Sequence, residues 1–413
     1  MTEQAKIRMA EKSKRVEAAT KMEVPDKIPF GPLTGYYPAG AYGISYYDLM
    51  IDPRHAIPGI KQFIADFDPD MAMPPVAYCI PACETSGATF LRWPGPTFGI
   101  SNFASFQVLD QTYLHDDEYD EFLKDPTGFQ IRKILPRRHA KLKGFEKLDF
   151  TMTTEFLAFE NFGVMAQPDV KESIMAAIAS GEQINLYNAR LGECFGAIIE
   201  EGIPLFMDSL AIAPYDIFSD DFRGLMKTLT DMHERPEKLD AALEYTTQAA
   251  IDYYVPQAAA ASGKRVFIPL HAGVDEFMSA KNYERFYWKG LRKLCDALID
   301  AGTIPMLFCE GNYNTRLEII SEFEKGKVMY IFEKVDIKKA KATAGKVGCI
   351  HGNFPNAMLI EGTTEEVVEH TKYMIDILGP GGGFIMCCGI ALDNAKKENV
   401  YAWREATEKY GKY

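Results

Sequence analysis

The feature that most limits how this chain can fold is a serial alternation of strand-like and helix-like segments from residue 151 to the C-terminus. Short apolar runs such as RVFIPL (265–270), TIPMLF (303–308) and KVMYIF (327–332) are each followed by a stretch with helical periodicity. Strands that alternate with helices over short connections indicate a parallel sheet. So many units in series predict an α/β fold of the closed (β/α)8 barrel type, with an open doubly wound sheet as the alternative.

The first 150 residues differ from the rest of the chain in composition and in hydrophobic pattern. A charged segment at residues 3–22 is predicted to be a helix, and it precedes the apolar strand IPFGPL. The next hundred residues are rich in Gly, Pro and aromatic side chains, which favours short strands and irregular loops. We therefore expect residues 1–150 to form an N-terminal extension and cap packed on the barrel. Residues 151–413 are expected to form the barrel itself, beginning with a strand near 151–158.

Charge and cysteine content limit the classes of partner and compartment. The chain carries 58 acidic and 45 basic residues, a net charge of −13, which disfavours nucleic acid and anionic membrane surfaces as partners. The N-terminal sequence lacks the apolar core of a signal peptide, and no apolar run approaches roughly 18 residues, so a cytoplasmic location is expected. The eight cysteines show no regular framework, and in that compartment they are expected to be thiols.

Metal-capable side chains stand where three of the predicted strands end. His271 follows RVFIPL, Cys309 and Glu310 follow TIPMLF, and Cys387 and Cys388 end GGFIMCC. Barrel enzymes carry their reactive side chains at such ends. A histidine, a carboxylate and a thiolate that converge would form a zinc site with an open fourth position. Each residue taken alone is better explained by a structural role, since strand-end histidines are more often structural and buried cysteines behave as small hydrophobic residues.

Longer stretches of the chain resemble the uroporphyrinogen decarboxylase superfamily, which includes cobamide-dependent methyltransferases. The resemblance begins with the basic helix and VPDKIPF, passes through APYDIFSDDFRG and RPEKLDAALE, and is strongest in HGNFPNAMLIEGTTEEVVEHTKYMIDILGPGGGFIMCCGIALDNAKKENVYA. It implies a (β/α)8 barrel with the active cleft at the C-terminal mouth. The decarboxylase branch has an arginine-rich segment like RQAGRY after the first strand. This chain has GPLTGYYPAGAY there, without arginine, which disfavours porphyrinogen decarboxylation.

The methyltransferase branch implies a set of zinc ligands. Its pattern is His-x-Cys after a middle strand and a further Cys before a glycine after the last strand, and Cys388 matches that last position. The middle motif differs, because Phe308 stands in place of the histidine and Glu310 in place of the cysteine. His271 on the preceding strand is the candidate for the missing nitrogen ligand. The expected metal ligands are therefore His271, Glu310 and Cys388, with His271 and Glu310 as catalytic residues and Cys387 in packing.

The resemblance implies a substrate:corrinoid methyltransferase that resembles the methyltransferase components of aryl methyl ether O-demethylases. Zinc would bind the ether oxygen of a methoxylated aromatic, and the methyl group would pass to cobalt(I) of a cobalamin-type corrinoid carried by a partner protein. The alternatives are methyl transfer from the corrinoid to a thiol and a non-catalytic scaffold that binds the corrinoid protein. A homodimer is compatible with the sequence. The candidate substrate-binding residues are Tyr36, Tyr37, Tyr215, Asp216 and Arg223.

Overall fold

The computed structural model describes residues 1–150, 155 and 159–413. The strands are β1 (Leu91–Arg92), β2 (Gln107–Val108), β3 (Ser209–Leu210), β4 (Arg265–Leu270), β5 (Ile304–Asn312), β6 (Met329–Lys334), β7 (Cys349–His351) and β8 (Phe384–Ile385). Within the described residues, β3 to β8 form one six-stranded sheet in sequential order. All its neighbouring strands run parallel, whereas β1 and β2 form a separate antiparallel pair.

Two short segments near the N-terminus close this sheet into a barrel. Residues 28–31 run parallel to the end of β8, and residues 70–73 run parallel to the segment that leads into β3. Main-chain hydrogen bonds complete the ring from Met386 N–H to Pro29 O (2.8 Å), Asp70 N–H to Phe30 O (2.7 Å) and Phe206 N–H to Ala72 O (2.7 Å). The prediction of a (β/α)8 barrel with a helical N-terminal region is confirmed.

The barrel therefore begins before residue 150. Residues 28–31 and 70–73 supply two of its strand positions, so the division at residue 150 does not coincide with the start of the barrel. Their apolar runs are short and lie among Gly and Pro residues, which is why the sequence pattern assigned them to a cap. The strand expected near 151–158 lies outside the described residues except for Glu155, which is in a turn.

Helices surround the barrel and fill its N-terminal extension. The α-helices are α1 (Glu3–Thr20), α2 (Tyr37–Gly40), α3 (Tyr46–Ile51), α4 (Ile57–Phe67), α5 (Ile80–Ser86), α6 (Tyr119–Lys124), α7 (Pro126–Phe129), α8 (Leu135–Arg138), α9 (Glu160–Met165), α10 (Pro168–Glu200), α11 (Pro214–Phe218), α12 (Leu225–Glu234), α13 (Pro236–Ala260), α14 (Ala280–Asn282), α15 (Lys289–Asp300), α16 (Ile337–Ala342), α17 (Asn356–Glu361), α18 (Thr364–Leu378) and α19 (Lys397–Tyr410). Along the described ranges, none of these helices combines the length and apolar character needed to cross a membrane.

Shorter helical turns join some of these elements. π-helical turns are Gln130–Ile134, Ser219–Arg223 and Tyr283–Trp288, and 3-10 turns are Pro53–Ala56, Ala140–Lys147, Ile319–Ser321 and Ala344–Lys346. The segment after β5 contains the 3-10 turn Ile319–Ser321. Its first part is held by Asp275, whose carboxylate accepts hydrogen bonds from the Thr315 N–H (3.0 Å) and hydroxyl (2.7 Å).

Aromatic rings fill the barrel interior at mid-height. Phe267 on β4 lies 6.3 Å from Phe206 and 5.6 Å from Phe308 on β5, and Phe206 lies 4.9 Å from the ring of His351. We call these four side chains the aromatic floor. Because alternate residues of a strand face the same side, residues further along β4 and β5 continue from this floor toward the C-terminal mouth.

All eight cysteines are buried free thiols, as predicted from the sequence. Their burial accounts for them as packing residues of the core, since a free cysteine behaves as a small hydrophobic side chain. Cys387 and Cys388 in particular are fully buried at the end of β8.

Candidate functional site

A histidine and an aspartate form an ion pair at the mouth of the barrel. His271 directly follows β4, and its Nδ1 lies 2.7 Å from Oδ2 of Asp220. Asp220 belongs to the π-helical turn Ser219–Arg223, a type of distortion that is frequent at functional sites. The bond occupies Nδ1 and leaves Nε2 as the nitrogen that can face a ligand, and the His271 side chain is 43% exposed.

The buried carboxylate of Asp216 fixes the end of β4. One of its oxygens accepts the His271 N–H (2.9 Å) and the Tyr287 hydroxyl (2.7 Å), and the other accepts the Ala272 N–H (3.1 Å). Burial is the main cause that raises the pKa of Asp216 to about 6. Asp216 therefore positions His271 through the main chain.

Glu310 and Glu333 complete the polar cluster. The pairing of β5 with β6 is irregular between Cys309 and Asn312, where Gly311 takes a positive φ of 81° and donates its N–H to Glu333 Oε2 (2.6 Å). Burial, together with the charges of Asp216 and Glu333, raises the pKa of Glu310 to about 7 against the opposing effect of His271. Glu310 thus changes its protonation near neutral pH.

His271 is an imidazolium at neutral pH. Burial lowers the pKa of His271, but the hydrogen bond with Asp220 and the charges of Asp216 and Glu310 outweigh it and raise the pKa to about 9. A cation with one free ring nitrogen beside a carboxyl group of near-neutral pKa can donate a proton to a reacting oxygen. We call Asp216, Asp220, His271, Glu310 and Glu333 the mouth cluster.

The expected zinc ligands do not form a metal-binding group. In the part of the chain that the structure describes, no three His, Cys, Asp or Glu side chains are arranged to hold a metal ion. Cys388 is fully buried and directs its Sγ to the carbonyl oxygen of Leu33 (3.4 Å), whereas His271 pairs with Asp220. Phe308, at the position where the family motif has its histidine, belongs to the aromatic floor. His271, Glu310 and Cys388 in this arrangement do not fit a zinc ion.

Aromatic residues form the opposite wall of the mouth. The rings of Tyr36 and Tyr46 stack at 4.5 Å with an angle of 23° between their planes, and Tyr78 packs edge-on against Phe106 at 4.7 Å. Burial raises the pKa of Tyr78, and the charge of Asp221 adds to this effect.

Tyr37 and Tyr215 lie in the core. Tyr37 is 1% exposed and packs against Phe63 and Phe67 at 6.0 and 6.2 Å. Tyr215 is also 1% exposed, and its ring lies 5.3 Å from that of Tyr287. Their positions are accounted for by packing.

Arg223 belongs to a buried ion-pair network. It is fully buried and lies 2.6 Å from carboxylate oxygens of both Asp231 and Asp116. It also donates to the carbonyl oxygen of Leu114 (2.8 Å). These bonds tie the turn after α11 to residues 114–116, so Arg223 is accounted for by this structural network.

The sequence interpretation did not single out Asp220 or Glu333. Asp220 lies four residues after Asp216, a spacing that places two side chains on one helix face, and Glu333 follows the apolar run of β6. The spacing of Asp220 from Asp216 and the position of Glu333 after an apolar run can both be seen in the sequence once the helix and the strand have been located. Asp393, in the loop after β8, has no comparable signal because its conformation is not encoded by periodicity.

The fold and the site together define a (β/α)8-barrel protein with a polar cluster at its C-terminal mouth. The profile of the family described as Uroporphyrinogen decarboxylase (URO-D) matches residues 197–410, which is just over half of the chain. The chain belongs to this family, and the resemblance seen in the sequence is confirmed.

A solved structure supports the same fold. It is described as "methyltransferase from Methanosarcina mazei" and matches with a TM-score of 0.62 at 16% sequence identity, covering 96% of this chain and 98% of that chain. At this identity the likeness shows a shared fold. A comparison with curated protein sequences gave no match.

Proposed function

We propose that this protein is a methyltransferase that moves the methyl group of a methoxylated aromatic to cobalt(I) of a corrinoid carried by a partner protein. The observation that carries the proposal is the His271–Asp220 ion pair beside Glu310 at the barrel mouth, opposite an aromatic wall. Membership of the uroporphyrinogen decarboxylase family and the fold shared with a protein described as a methyltransferase also support it.

The chemical difficulty is the leaving group. The bond between the ether oxygen and the methyl carbon breaks with its electron pair left on oxygen, and a free phenolate leaves poorly. When a reduced corrinoid is docked, its cobalt(I) supplies the electron pair for the new bond to the methyl carbon. In our proposal the imidazolium of His271 gives a proton to the departing oxygen, so that a neutral phenol leaves. Solvent then returns a proton to His271.

Three carboxyl groups of the mouth cluster support His271 in this step. Asp220 holds Nδ1 of His271 and stabilises its positive charge, and Asp216 fixes the main chain at that point. Glu310 adds negative charge beside the imidazolium and supports its raised pKa.

The charge of the mouth argues against porphyrinogen decarboxylation. A substrate with many carboxylates requires cations around it, but the mouth cluster contains four carboxyl groups and a single imidazole. Negative potential in a concave site repels polyanions. A neutral aromatic ether does not meet this repulsion.

Exposed apolar side chains support docking of a macromolecular partner at the same face. Soluble proteins rarely expose apolar groups in clusters without a binding role. Several large ones end a barrel strand, follow the carboxyl end of one or lie in the N-terminal loops; they are Val76, Tyr78, Phe103, Leu210, Phe277 and Ile390. A corrinoid protein is the partner that the proposed reaction requires at this surface.

The proposal is tested by mixing the protein with a chemically reduced corrinoid and a panel of methoxylated aromatics, and by following the corrinoid spectrum. We expect conversion of the cobalt(I) form to the methyl form with at least one donor. Methyl transfer from methylcorrinoid to an added thiol would instead assign the thiol reaction. Corrinoid-protein binding without transfer in either direction would make the chain a scaffold.

Zinc binding, which the family resemblance implies, is still a prediction, and metal analysis tests it. Because the ligands expected from the family motif do not converge, we expect transfer to continue after dialysis against a strong chelator. Loss of activity on chelation, with recovery on adding zinc, would show that ligands outside the His271, Glu310 and Cys388 set hold a metal.

A further inference from the structure

A cavity of about 580 Å³ lies at the end of the barrel opposite the mouth cluster. Its wall includes Arg265 and Ile304, the first residues of β4 and β5, which are paired in the sheet. His271 follows the other end of β4, a strand of six residues, so roughly 20 Å separate the cavity from the mouth at about 3.3 Å per residue. The cavity is therefore a second concave site.

Arg265 lines the cavity with a guanidinium group that has few partners. Its side chain is 14% exposed. Among the described residues this group makes one hydrogen bond, from Nη2 to the carbonyl oxygen of Leu205 (2.8 Å). Its Nε is buried without a partner, and Nη1 makes no hydrogen bond within the same part of the chain. Most of the five N–H groups of the guanidinium are therefore unused.

Asp208 compensates only part of this positive charge. Its Oδ2 accepts the main-chain N–H of Arg265 (3.0 Å) and lies 3.5 Å from Nη2 without a hydrogen bond to it. The carboxylate is closely packed, because a Cβ atom at Gly263 would collide with it. Burial outweighs the charges of Asp208 and Glu17 and lowers the pKa of Arg265. A cation in this position gains from a further anion.

The charges around the cavity limit the ligand to a single negative charge. Besides Arg265, the wall contains the cations Lys21 and Lys264 and the carboxylates Glu17 and Asp208, which leaves one net positive charge. Lys21 pairs with Glu17 at 3.7 Å, whereas Lys264 is exposed and makes no ion pair with any residue that the structure describes. A phosphate dianion would be repelled by both carboxylates. A monocarboxylate matches the net charge.

We propose that this cavity binds an aliphatic monocarboxylate. Its carboxylate accepts hydrogen bonds from Nη1 of Arg265 and lies beside the ammonium group of Lys264. Its apolar chain packs against the apolar part of the wall, which comprises Met9, Ile199, Pro204, Leu205 and Ile304. The bound acid joins α1 to the start of β4 and therefore stabilises the folded protein. Because the cavity lies at the opposite end from the mouth, this binding does not depend on the proposed methyl transfer.

Titration calorimetry with hexanoate and hexanamide tests the site, because the two molecules differ in charge but hardly in shape. We expect the wild type to bind hexanoate about tenfold to a hundredfold more tightly than hexanamide, as a hydrogen bond to a charged group implies. Hexanoate should also raise the Tm of the wild type. Arg265→Gln should lose most of the difference between the two ligands, with hexanamide binding little changed.

Lys264→Gln is a second variant that keeps the test decisive if Arg265→Gln does not fold, because Lys264 is exposed. It should weaken hexanoate binding about twofold to fivefold, the range for an exposed ion pair. Lys346→Gln is the matched control, since Lys346 is an exposed lysine just before β7 that does not line the cavity. Lys346→Gln and His271→Gln, at the mouth, should both bind hexanoate as the wild type does.

Four results would overturn the inference. They are equal affinities for hexanoate and hexanamide, no binding of hexanoate at millimolar concentration, and unchanged hexanoate affinity in both Arg265→Gln and Lys264→Gln. The fourth is a loss of hexanoate binding in His271→Gln, which would place the ligand at the mouth.

Discussion

At the scale of single residues, the charge of Glu310 has two opposite effects. The ionised carboxylate supports the raised pKa of His271, but it lowers the stability of the folded protein. Its pKa is about 7 in the folded protein against an ordinary value of 4.5, so the folded state binds this proton more tightly than the unfolded chain does. The resulting stability is fully present below about pH 4.5. This stability is lost as the pH rises through the pKa of Glu310 in the folded protein, because the ionised Glu310 then faces the charges of Asp216 and Glu333.

Replacement of Glu310 by glutamine should therefore stabilise the protein at pH 8. We expect a gain of about 1–3 kcal/mol in the free energy of unfolding at pH 8 and little change at pH 5, because the carboxyl group is already neutral there. Urea unfolding at the two pH values measures this. Glu276→Gln, which alters an exposed carboxylate in the loop after β4, is the control. A gain of equal size at both pH values would contradict the assigned cause.

At the scale of elements, the site depends on how α11 is joined to the end of β4. Asp216 on α11 accepts three hydrogen bonds there, two from the main chain at His271 and Ala272 and one from Tyr287. Asp216→Asn turns an amide NH₂ toward these donors. We expect a loss of about 1–3 kcal/mol in stability, measured by urea unfolding, together with slower methyl transfer.

Tyr287→Phe is the matched comparison for this junction. It removes one of the three donors and leaves the main-chain bonds of His271 and Ala272 in place, so it should cost about 1 kcal/mol with a smaller effect on rate. If both variants had the same effect on methyl transfer, Asp216 would not act by positioning His271.

The elements also show what the sequence could predict. β4 was predicted at residues 265–270 and occurs at those bounds, because its apolar run is continuous and is followed by a helical pattern. The strand at 28–31 was predicted but was assigned to the N-terminal cap, and the segment 70–73 was not recognised, since a few residues among Gly and Pro carry no clear period. His271 and Glu310 were found because strand ends are visible in a sequence. The four-residue spacing of Asp216 and Asp220 is visible in the sequence, but the conformation of Asp393 depends on a strained loop, which periodicity does not encode.

At the scale of the whole molecule, closure of the barrel depends on Asp70. Its Oδ1 contacts Arg15 (2.5 Å) and Lys12 (3.5 Å) of α1, and its Oδ2 accepts the Phe30 N–H (2.8 Å). One side chain thus joins α1 to both N-terminal strand segments of the barrel.

Asp70→Asn leaves the buried ammonium of Lys12 and the guanidinium of Arg15 without this charge. We expect a loss of about 1–3 kcal/mol in the free energy of unfolding, because Arg15 keeps Asp26 and Lys12 keeps Asp68 as a charged partner. Asp68→Asn, at a position where the carboxylate is 45% exposed, should cost less than about 1 kcal/mol. Urea unfolding of both variants tests this, and equal losses would show that Asp70 has no special role in closure.

The most direct test of the account is the pH dependence of a single turnover of methyl transfer to a reduced corrinoid. With His271 as proton donor, the wild-type rate should be constant up to about pH 8 and fall as the pH passes about 9, where His271 loses its proton. His271→Gln should be slower by about 10²–10⁴-fold and should lack this fall. Equal rates and equal pH profiles in the two proteins, or no methyl transfer by the wild type to any corrinoid, would contradict the account.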